Sequence, residues 1–444
     1  MEKRKAAKEA AEELLQFIKE SPDCFHAVEA QARRLRAEGF EELFEEEAWD
    51  LKEGGRYFVT RNQSSLIAFK IPKWDFAGFH IMASHSDSPS FKIKENPEME
   101  SEGWYGKLNV EKYGGMLCAP WFDRPLSVSG RLAVRTEQGI GVRLVHVDRD
   151  LLMIPSLAIH MNRAVNEGYK YNIQKDMLPI YAGGEGKGTF LKIVAESAGA
   201  SPEDVLGHDL FLYSRTPGTI WGAEEEFVSG PRLDDLQCAF SSLKGFLAGS
   251  HPDCVQVHAV FDNEEVGSCT RQGADSTLLY DVLSRISSSA GKDGQGFQQA
   301  ISSSFMISAD NAHAVHPNQG DKADPVNRPL MNQGIVIKYH GGQKYTTDAV
   351  SAAVFKELCG RAGVPFQTFT NHSDIPGGST LGNLSSSHVP VRTVDIGLPQ
   401  LAMHSPYETA GVLDTWYLIR AAREFFSSCL RAERGSCRLE AARL

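Results

Sequence analysis

Five short polar clusters, each at the point where a strand-like hydrophobic run ends, constrain the fold of this chain more than any other feature. They are residues 85–87 (His-Ser-Asp), 232–235 (Arg-Leu-Asp-Asp), 262–265 (Asp-Asn-Glu-Glu), 308–310 (Ser-Ala-Asp) and 401–404 (Leu-Ala-Met-His). Because open α/β sheets bind ligands beyond the carboxyl ends of their strands, we expect the clusters to meet at one edge of a sheet. Their histidines and carboxylates suit two divalent metal ions that share one carboxylate, with a spare glutamate as a general base.

The composition indicates a globular enzyme of two domains. A chain of 444 residues is longer than one hydrophobic core usually holds. The formal net charge is −11 and the lysines and arginines are scattered, whereas nucleic-acid binding requires a concentrated basic surface. We therefore expect no nucleic-acid partner.

The cysteines and the hydropathy pattern bear on the cell compartment. The eight cysteines form no C-x-x-C pair and lie in strand-like or helical segments, so we expect reduced core thiols. The first residues predict an amphipathic helix with Leu14, Leu15 and Ile18 on its apolar face, and not a signal peptide. No apolar run is long enough to span a bilayer. These observations predict a cytoplasmic protein without a membrane partner.

The order of the predicted elements indicates one domain interrupted by another. Strand-like and helical segments alternate up to about residue 95 and again after Pro231, whereas short β-like runs and frequent glycines lie between. Such alternation is typical of a largely parallel sheet covered by helices. We therefore predict an α/β fold in which residues 1–95 and 231–444 form a mixed, largely parallel sheet sandwiched by helices. Residues 96–230 are predicted to form an inserted β-rich domain.

Two local predictions concern the first domain. The pair Ser21-Pro22 predicts the N-cap and the first residue of a second helix. Alternating apolar residues in 56–60 and 65–70 predict a β-hairpin with Asn62 in its turn.

The paired glutamates give the strongest single argument for metal binding. Adjacent carboxylates after an apolar strand repel one another unless cations neutralise them. If Glu265 binds a metal ion, Glu264 lies beside water as a general base. In the same way, His85 can bind metal while Asp87 orients it.

Each cluster also has a simpler interpretation when it is taken alone. His85 and Asp87 are compatible with a surface turn, and residues 262–265 with a solvated acidic loop. Either aspartate of residues 234–235 can cap a helix, and Asp310 can cap a strand end. Only the five clusters together fill a two-metal site.

The motifs around these clusters resemble those of the M18 metallopeptidases, the family of aspartyl aminopeptidase and aminopeptidase I. The motifs are His85-Ser-Asp-Ser-Pro, Pro231-Arg-Leu-Asp-Asp-Leu, Asp262-Asn-Glu-Glu-Val-Gly-Ser, Ser308-Ala-Asp-Asn-Ala-His and Pro399-Gln-Leu-Ala-Met-His-Ser, with Tyr113-Gly-Gly and Ile154-Pro-Ser-Leu-Ala-Ile-His between them. The similarity runs from about residue 20 to residue 428.

The resemblance implies a complete ligand set. A first metal ion would be held by His85, Asp234 and Asp310. A second would be held by Asp234, Glu265 and His404, so that Asp234 is the bridge. The ions are expected to be zinc, with manganese or cobalt as alternatives.

The resemblance also implies catalytic roles and an assembly. Glu264 would be the general acid and base, and Asp87 would orient His85. His160 would reach the active site of a neighbouring subunit. The expected assembly is a tetrahedral homododecamer, whose inserted domain mediates dimer contacts and access to the interior.

Specificity depends on a second set of residues. Lys338 and Tyr345 match positions that hold the acidic substrate side chain in aspartyl aminopeptidases, and Asp374 is expected to bind substrate. Lys338 taken alone is equally compatible with an outward-facing strand lysine. The chain departs from many relatives at His372, where they carry an arginine, and at Gly377, where they often carry a cysteine.

The sequence therefore predicts a dinuclear metal-dependent aminopeptidase that removes N-terminal residues, with Asp or Glu expected, from short peptides. Two alternatives stay open. One is an aminopeptidase of broad or neutral specificity, which a panel of aminoacyl substrates would identify. The other is a non-catalytic assembly protein, which metal analysis and a peptidase assay would identify.

Overall fold

A computed structural model describes residues 2–433 and 436–441 of the chain. Its α-helices are α1 (Glu2–Glu20), α2 (Cys24–Ala37), α3 (Ile173–Asp176), α4 (Phe190–Ser197), α5 (Leu233–Ala248), α6 (Leu278–Ser289), α7 (Gly294–Ser302), α8 (Ala349–Ala362), α9 (Leu381–His388) and α10 (Val412–Phe426). None of the helices in these described residues is long and apolar enough to cross a membrane.

The strands are β1 (Glu41–Leu43), β2 (Arg56–Arg61), β3 (Ser65–Lys70), β4 (Gly78–His85), β5 (Ser90–Ser101), β6 (Tyr105–Tyr113), β7 (Leu126–Thr136), β8 (Gly139–His146), β9 (Ile180–Gly183), β10 (Val205–Ser214), β11 (Thr219–Trp221), β12 (Phe227–Gly230), β13 (Cys254–Phe261), β14 (Phe305–Ala309), β15 (Ala312–His313), β16 (Ile335–Lys338), β17 (Phe366–Phe369), β18 (Arg392–Gly397), β19 (Pro399–Leu401), β20 (Glu408–Gly411), β21 (Ser428–Glu433) and β22 (Ser436–Ala441). Short 3-10 helices, among them Ile159–Met161 and Glu264–Val266, lie in the connections.

Nine strands form the main sheet, in the order β1-β2-β3-β13-β4-β14-β18-β16-β17. The central strands β13, β4, β14 and β18 run parallel to one another, and β3 and β16 flank them in the antiparallel direction. The predicted mixed, largely parallel sheet is confirmed. The predicted hairpin is also confirmed, because β2 pairs with β3 and Arg56 lies opposite Lys70.

Helices cover both faces of the main sheet because its side chains alternate between two apolar cores. On one face, Phe58 and Met82 pack with apolar residues of α5, α8 and α10. On the other face, Val59 and Ile81 pack with apolar residues of α6 and α7. The residues of β4 are all buried, as expected for a strand that is covered on both sides. The predicted layering of helices on a central sheet is confirmed.

A second sheet, antiparallel throughout, is formed within residues 90–214. Its order is β8-β7-β10-β5-β6-β9. It has its own apolar core, in which Phe91 and Trp121 pack edge to face. The expected domain boundary at residues 95 and 96 falls inside β5, and β12, at the other expected boundary, pairs with β20. The division into domains at those residues stays a prediction.

A third, smaller sheet joins the segments next to three of the polar clusters. Its order is β11-β12-β20-β19-β15. Strand β12 ends at Gly230, just before the cluster of Asp234, and Gly230 lies opposite Glu408 of β20. Strand β19 ends just before His404 and pairs with β20 and with β15, which follows Asp310. This sheet therefore sets the relative positions of three candidate ligands.

One disulfide corrects the expectation of reduced thiols. Cys254, at the start of β13, is bonded to Cys429 of β21, and their Cα atoms are 5.9 Å apart. The two residues are separated by 175 positions, so no local spacing in the sequence indicates the pair. The free cysteines of the described chain are Cys24, Cys118, Cys238, Cys269, Cys359 and Cys437.

Candidate metal centre

The main sheet brings the polar clusters to its carboxyl edge. His85 is the last residue of β4, Asp310 follows β14, and the short helix Glu264–Val266 follows β13. Because β13, β4 and β14 are parallel neighbours, these three strand ends lie side by side. Asp234 lies at the start of α5, and His404 follows β19.

One group of ligand atoms surrounds the ring of His85. Its Nε2 atom lies 3.5 Å from Oδ1 of Asp234 and 4.0 Å from Oδ1 of Asp310. These residues and Asp235 are buried, and their ligand atoms all lie within 4.8 Å of one another. The residues predicted to hold the first metal ion are thus brought together. Asp234 and Asp235 have non-helical backbone angles at the start of α5. Their Oδ1 atoms have no hydrogen-bond partner, Oδ2 of Asp235 accepts from the N–H of His85, and Oδ2 of Asp234 faces His404. The alternative that either aspartate caps this helix is therefore wrong.

A second group lies beside the first and shares Asp234 with it. Nε2 of His404 lies 3.5 Å from Oδ2 of Asp234 and 3.3 Å from Oε2 of Glu265. Asp234 therefore presents one carboxylate oxygen to each histidine. Glu264 lies at the same place, since ligand atoms of His85, Glu264 and Glu265 also fall within 4.8 Å of one another.

Backbone carbonyl groups orient both histidine rings. Nδ1 of His85 donates to the carbonyl oxygen of Asp87 at 3.0 Å, and Nδ1 of His404 donates to that of Gly115 at 2.5 Å. Because a carbonyl oxygen only accepts, Nδ1 carries the proton in the neutral ring, and the lone pair of Nε2 can then bind a ligand. Metal-binding histidines are held in this way.

Asp87 fixes the loop that carries the two glutamates. Its Oδ1 accepts from the N–H of Glu264 at 3.1 Å, and its Oδ2 accepts from the N–H of Glu265 at 3.2 Å. Oδ2 also accepts from the hydroxyl of Tyr113, at the end of β6, at 2.7 Å. Since both His85 and Asp87 are buried, the alternative of a surface turn is wrong.

The carboxylates of the two groups outnumber the basic side chains beside them, which are His85, His404 and Lys338. Burial, reinforced by neighbouring carboxylates, raises the pKa of Glu264 to about 8 and that of Glu265 well above its usual value. Among the buried carboxylate oxygens of the described chain, three have no hydrogen-bond donor: Oδ1 of Asp234, Oδ1 of Asp235 and Oε1 of Glu265. Divalent cations would satisfy these atoms and lower both pKa values. The nitrogen and oxygen atoms present therefore fit metal binding.

Comparison with known proteins identifies the family. Residues 17–426 match the family model described as aminopeptidase I zinc metalloprotease (M18). The chain belongs to the M18 aminopeptidase family. The probable M18 family aminopeptidase 2 of Clostridium acetobutylicum is 47% identical over 427 residues, which cover 94% of this chain and 99% of that protein. The predicted membership is confirmed, and with it a metal-dependent aminopeptidase activity.

Solved structures support the same M18 membership. The cryo-EM structure of the Ape4 and Nbr1 complex contains a chain with a TM-score of 0.91 and 35% identity, and the match covers 96% of this chain and 86% of that one. The S. cerevisiae mApe1 dodecamer gives a TM-score of 0.81 and 29% identity, with 94% and 96% covered. The predicted zinc-peptidase-like fold is confirmed.

In this M18 chain, Lys338 points inward beside the first group. Its Nζ donates to the carbonyl oxygen of Asn311 at 2.8 Å and lies 3.6 Å from Oδ2 of Asp310. The ring centre of the buried Tyr345 lies 5.6 Å from Nζ of Lys338. Although burial opposes its charge, Asp310 holds the pKa of Lys338 above its usual value. Lys338 is only 3% exposed, so the alternative of an outward-facing lysine is wrong.

Two predicted M18 site residues, His160 and Asp374, are exposed. His160 is exposed in the short helix Ile159–Met161. The side chain of Asp374 is 91% exposed, and the N–H of Asp374 donates to Nδ1 of His372 at 3.3 Å. The catalytic role of His160 and the substrate-binding role of Asp374 stay predictions.

Glu408 is a buried residue of the centre that the sequence motifs did not indicate. Its Oε2 accepts from the N–H of Asp234 at 2.9 Å, and its Oε1 accepts from the N–H of His404 at 2.7 Å. Burial and the charge of Asp234 raise the pKa of Glu408 to about 8. The available signal was an acidic residue inside a strand-like segment, four positions after a candidate ligand.

Proposed function

We propose that this M18 protein is a dinuclear aminopeptidase that removes N-terminal Asp or Glu residues from short peptides. His85, Asp234 and Asp310 would hold one metal ion. Asp234, Glu265 and His404 would hold the other. The observation that carries the proposal is that the two oxygens of Asp234 face two different histidines, each 3.5 Å away. Zinc suits these nitrogen and oxygen ligands, and manganese and cobalt are the alternatives.

Glu264 is the proposed general base. When bound, two divalent ions polarise a peptide carbonyl group and lower the pKa of water towards neutrality. Glu264 accepts the proton of the attacking water and returns it to the leaving amine. The hydrogen bond from its N–H to Asp87 fixes the loop, and the nearby ligand atoms of His85 and Glu265 support the assignment.

The proposed preference for acidic N-terminal residues rests on Lys338. A buried ammonium group attracts a substrate carboxylate and discriminates against neutral side chains. The second candidate is broad or neutral specificity, and one observation favours it. Nζ of Lys338 already donates to the carbonyl oxygen of Asn311 and lies near Asp310, so its charge already has partners within the protein.

We further propose that the subunits assemble as a tetrahedral homododecamer that only short peptides enter. The similar mApe1 protein of S. cerevisiae forms a dodecamer. Around the exposed His160, the side chains of Leu157, Ile159 and Met161 are 59%, 46% and 76% exposed. Exposed apolar patches mark interaction sites, which supports a subunit contact here and a role of His160 in the neighbouring active site. The cytoplasmic location and the lack of nucleic-acid and membrane partners stay predictions.

The proposed base is tested by Glu264→Gln. The amide keeps the size of the side chain but cannot accept a proton, so kcat should fall about a hundredfold to ten-thousandfold. Hydrolysis of Asp-anilide gives kcat. Mass spectrometry of the Glu264→Gln sample should show the same metal content as in the wild type. Glu196→Gln, on the exposed side of α4, is the matched control and should keep kcat. Normal turnover in Glu264→Gln would contradict the role.

A further inference from the structure

Glu408 lies where the third sheet joins the loops of two candidate ligands. It is 1% exposed and is the first residue of β20. On one side β20 pairs with β12, which ends just before the loop of Asp234. On the other side it pairs with β19, which ends just before His404. The sheet therefore places the segments of Asp234 and His404 on either side of the buried carboxylate of Glu408.

Each oxygen of Glu408 accepts one backbone N–H. The N–H of Asp234 donates to Oε2 at 2.9 Å, and the N–H of His404 donates to Oε1 at 2.7 Å. His404 has a φ of 66°, in the left-handed region that residues with a side chain rarely adopt. The hydrogen bond to Oε1 of Glu408 therefore helps to hold the backbone of His404 in this conformation.

The two histidines depend on different partners. The N–H of His85 donates to Oδ2 of Asp235 at 3.1 Å, and its ring is held by the carbonyl oxygen of Asp87. The backbone of His404 is held by Glu408, and its ring by the carbonyl oxygen of Gly115. Loss of Glu408 therefore frees the backbone of His404 but leaves both contacts of His85 in place.

We propose that Glu408 is a positioning residue that sets the metal affinity of the second ligand group, formed by Asp234, Glu265 and His404. The proposal rests on the dinuclear site proposed above. A carboxylate is needed at this position because both of its partners are donors. An amide would turn its own NH₂ group towards one of the two N–H groups and lose that hydrogen bond.

The test is a zinc titration of the wild type and of Glu408→Gln, with a chromophoric chelator as competitor. We expect the wild type to bind two zinc ions per subunit. In Glu408→Gln the dissociation constant of the ion held by Asp234, Glu265 and His404 should rise about 10- to 100-fold, as is usual when a residue that orients a ligand is lost. The other ion shares only Asp234 with the contacts of Glu408, so its dissociation constant should rise clearly less. Saturating zinc should restore kcat in the variant. Zinc would not restore kcat if Glu408 only stabilised the fold.

Asp414→Asn is the matched control. Asp414 is also fully buried, and its oxygens accept from the N–H groups of Asn332 at 2.6 Å and Gly334 at 3.2 Å. Asp414 belongs to neither of the two ligand groups found in the described residues. Asp414→Asn should lower the melting temperature and leave both zinc affinities at the wild-type value.

The outcomes separate the two proposals. If the wild type binds two ions and Glu408→Gln loses only thermal stability, as Asp414→Asn does, the positioning role is wrong and the dinuclear site stands. If the wild type binds fewer than two ions, the dinuclear site is wrong and the role of Glu408 is wrong with it.

Glu408→Asp is a second variant that keeps the proposal testable if Glu408→Gln does not fold. Its shorter side chain keeps two oxygens as acceptors but reaches the two N–H groups less well, so the loss of affinity should be smaller than in Glu408→Gln. If circular dichroism shows that both variants are unfolded, Glu408 holds the fold and not the metal group, and the proposal is overturned.

Discussion

At the scale of single residues, the adjacent aspartates 234 and 235 have separate tasks. Asp234 turns Oδ1 towards His85 and Oδ2 towards His404. Asp235 uses Oδ2 to accept from the N–H of His85, and so holds the backbone of that residue. One carboxylate therefore joins the two ligand groups, while its neighbour orients a member of the first.

Lys338→Ala tests the preference for acidic substrates. A hydrogen bond to a charged group contributes roughly 1.5–3 kcal/mol, so kcat/KM for Asp- and Glu-anilides should fall by about tenfold or more relative to Leu-anilide. The ratio is the useful quantity, because Lys338 also lies 3.6 Å from Asp310 and its loss can slow every substrate equally.

The control for Lys338→Ala is Lys344→Ala, which removes an ammonium group that donates to the carbonyl oxygen of Pro376. It should leave the ratio of acidic to neutral substrates unchanged. An equal loss for all substrates in Lys338→Ala would favour the broad-specificity candidate, with Lys338 holding Asp310.

The candidate ligands could be predicted because several histidines and carboxylates at the ends of neighbouring strands together indicate metal binding. Glu408 and Tyr113 could not be assigned in the same way. Their function depends on backbone and side-chain partners from distant segments, as in the hydroxyl of Tyr113 that donates to Asp87. A sequence does not show such pairings.

At the scale of elements, periodicity predicted the type of element better than its ends. The hairpin of β2 and β3 follows the predicted alternation. The second helix was predicted to begin at Pro22 after a Ser21 cap, but α2 begins at Cys24. The side chain of Asp23 accepts from the N–H of His26 at 3.0 Å and is the actual cap. Asp and Ser are comparable N-caps, so the sequence alone did not choose between them.

Tyr113→Phe tests whether the second sheet supports the metal centre. The hydroxyl of Tyr113 donates to Asp87 at 2.7 Å and accepts from Nδ2 of Asn263 at 2.9 Å. Removing it loosens the loop that carries the glutamates, and kcat should fall about 10- to 100-fold. Tyr105→Phe, on the same strand but exposed, is the control. Equal kcat values for the two variants would show that the second sheet does not support the centre.

At the scale of the whole molecule, local patterns predicted the main sheet but not the contacts between distant segments. Alternating strands and helices on both sides of residues 96–230 indicated the central sheet. The third sheet joins very short strands from distant parts of the chain, from β11 to β20, and no local pattern indicates their pairing. The disulfide between Cys254 and Cys429 was missed for the same reason.

The proposed site requires Asp234 to join two metal ions in each subunit, and anomalous X-ray scattering at the zinc edge can locate both ions. Crystals of the zinc-loaded protein should show two peaks per subunit. One should lie among His85, Asp234 and Asp310, and the other among Asp234, Glu265 and His404. A single peak, or a second peak away from Asp234, would show that Asp234 does not join two ions.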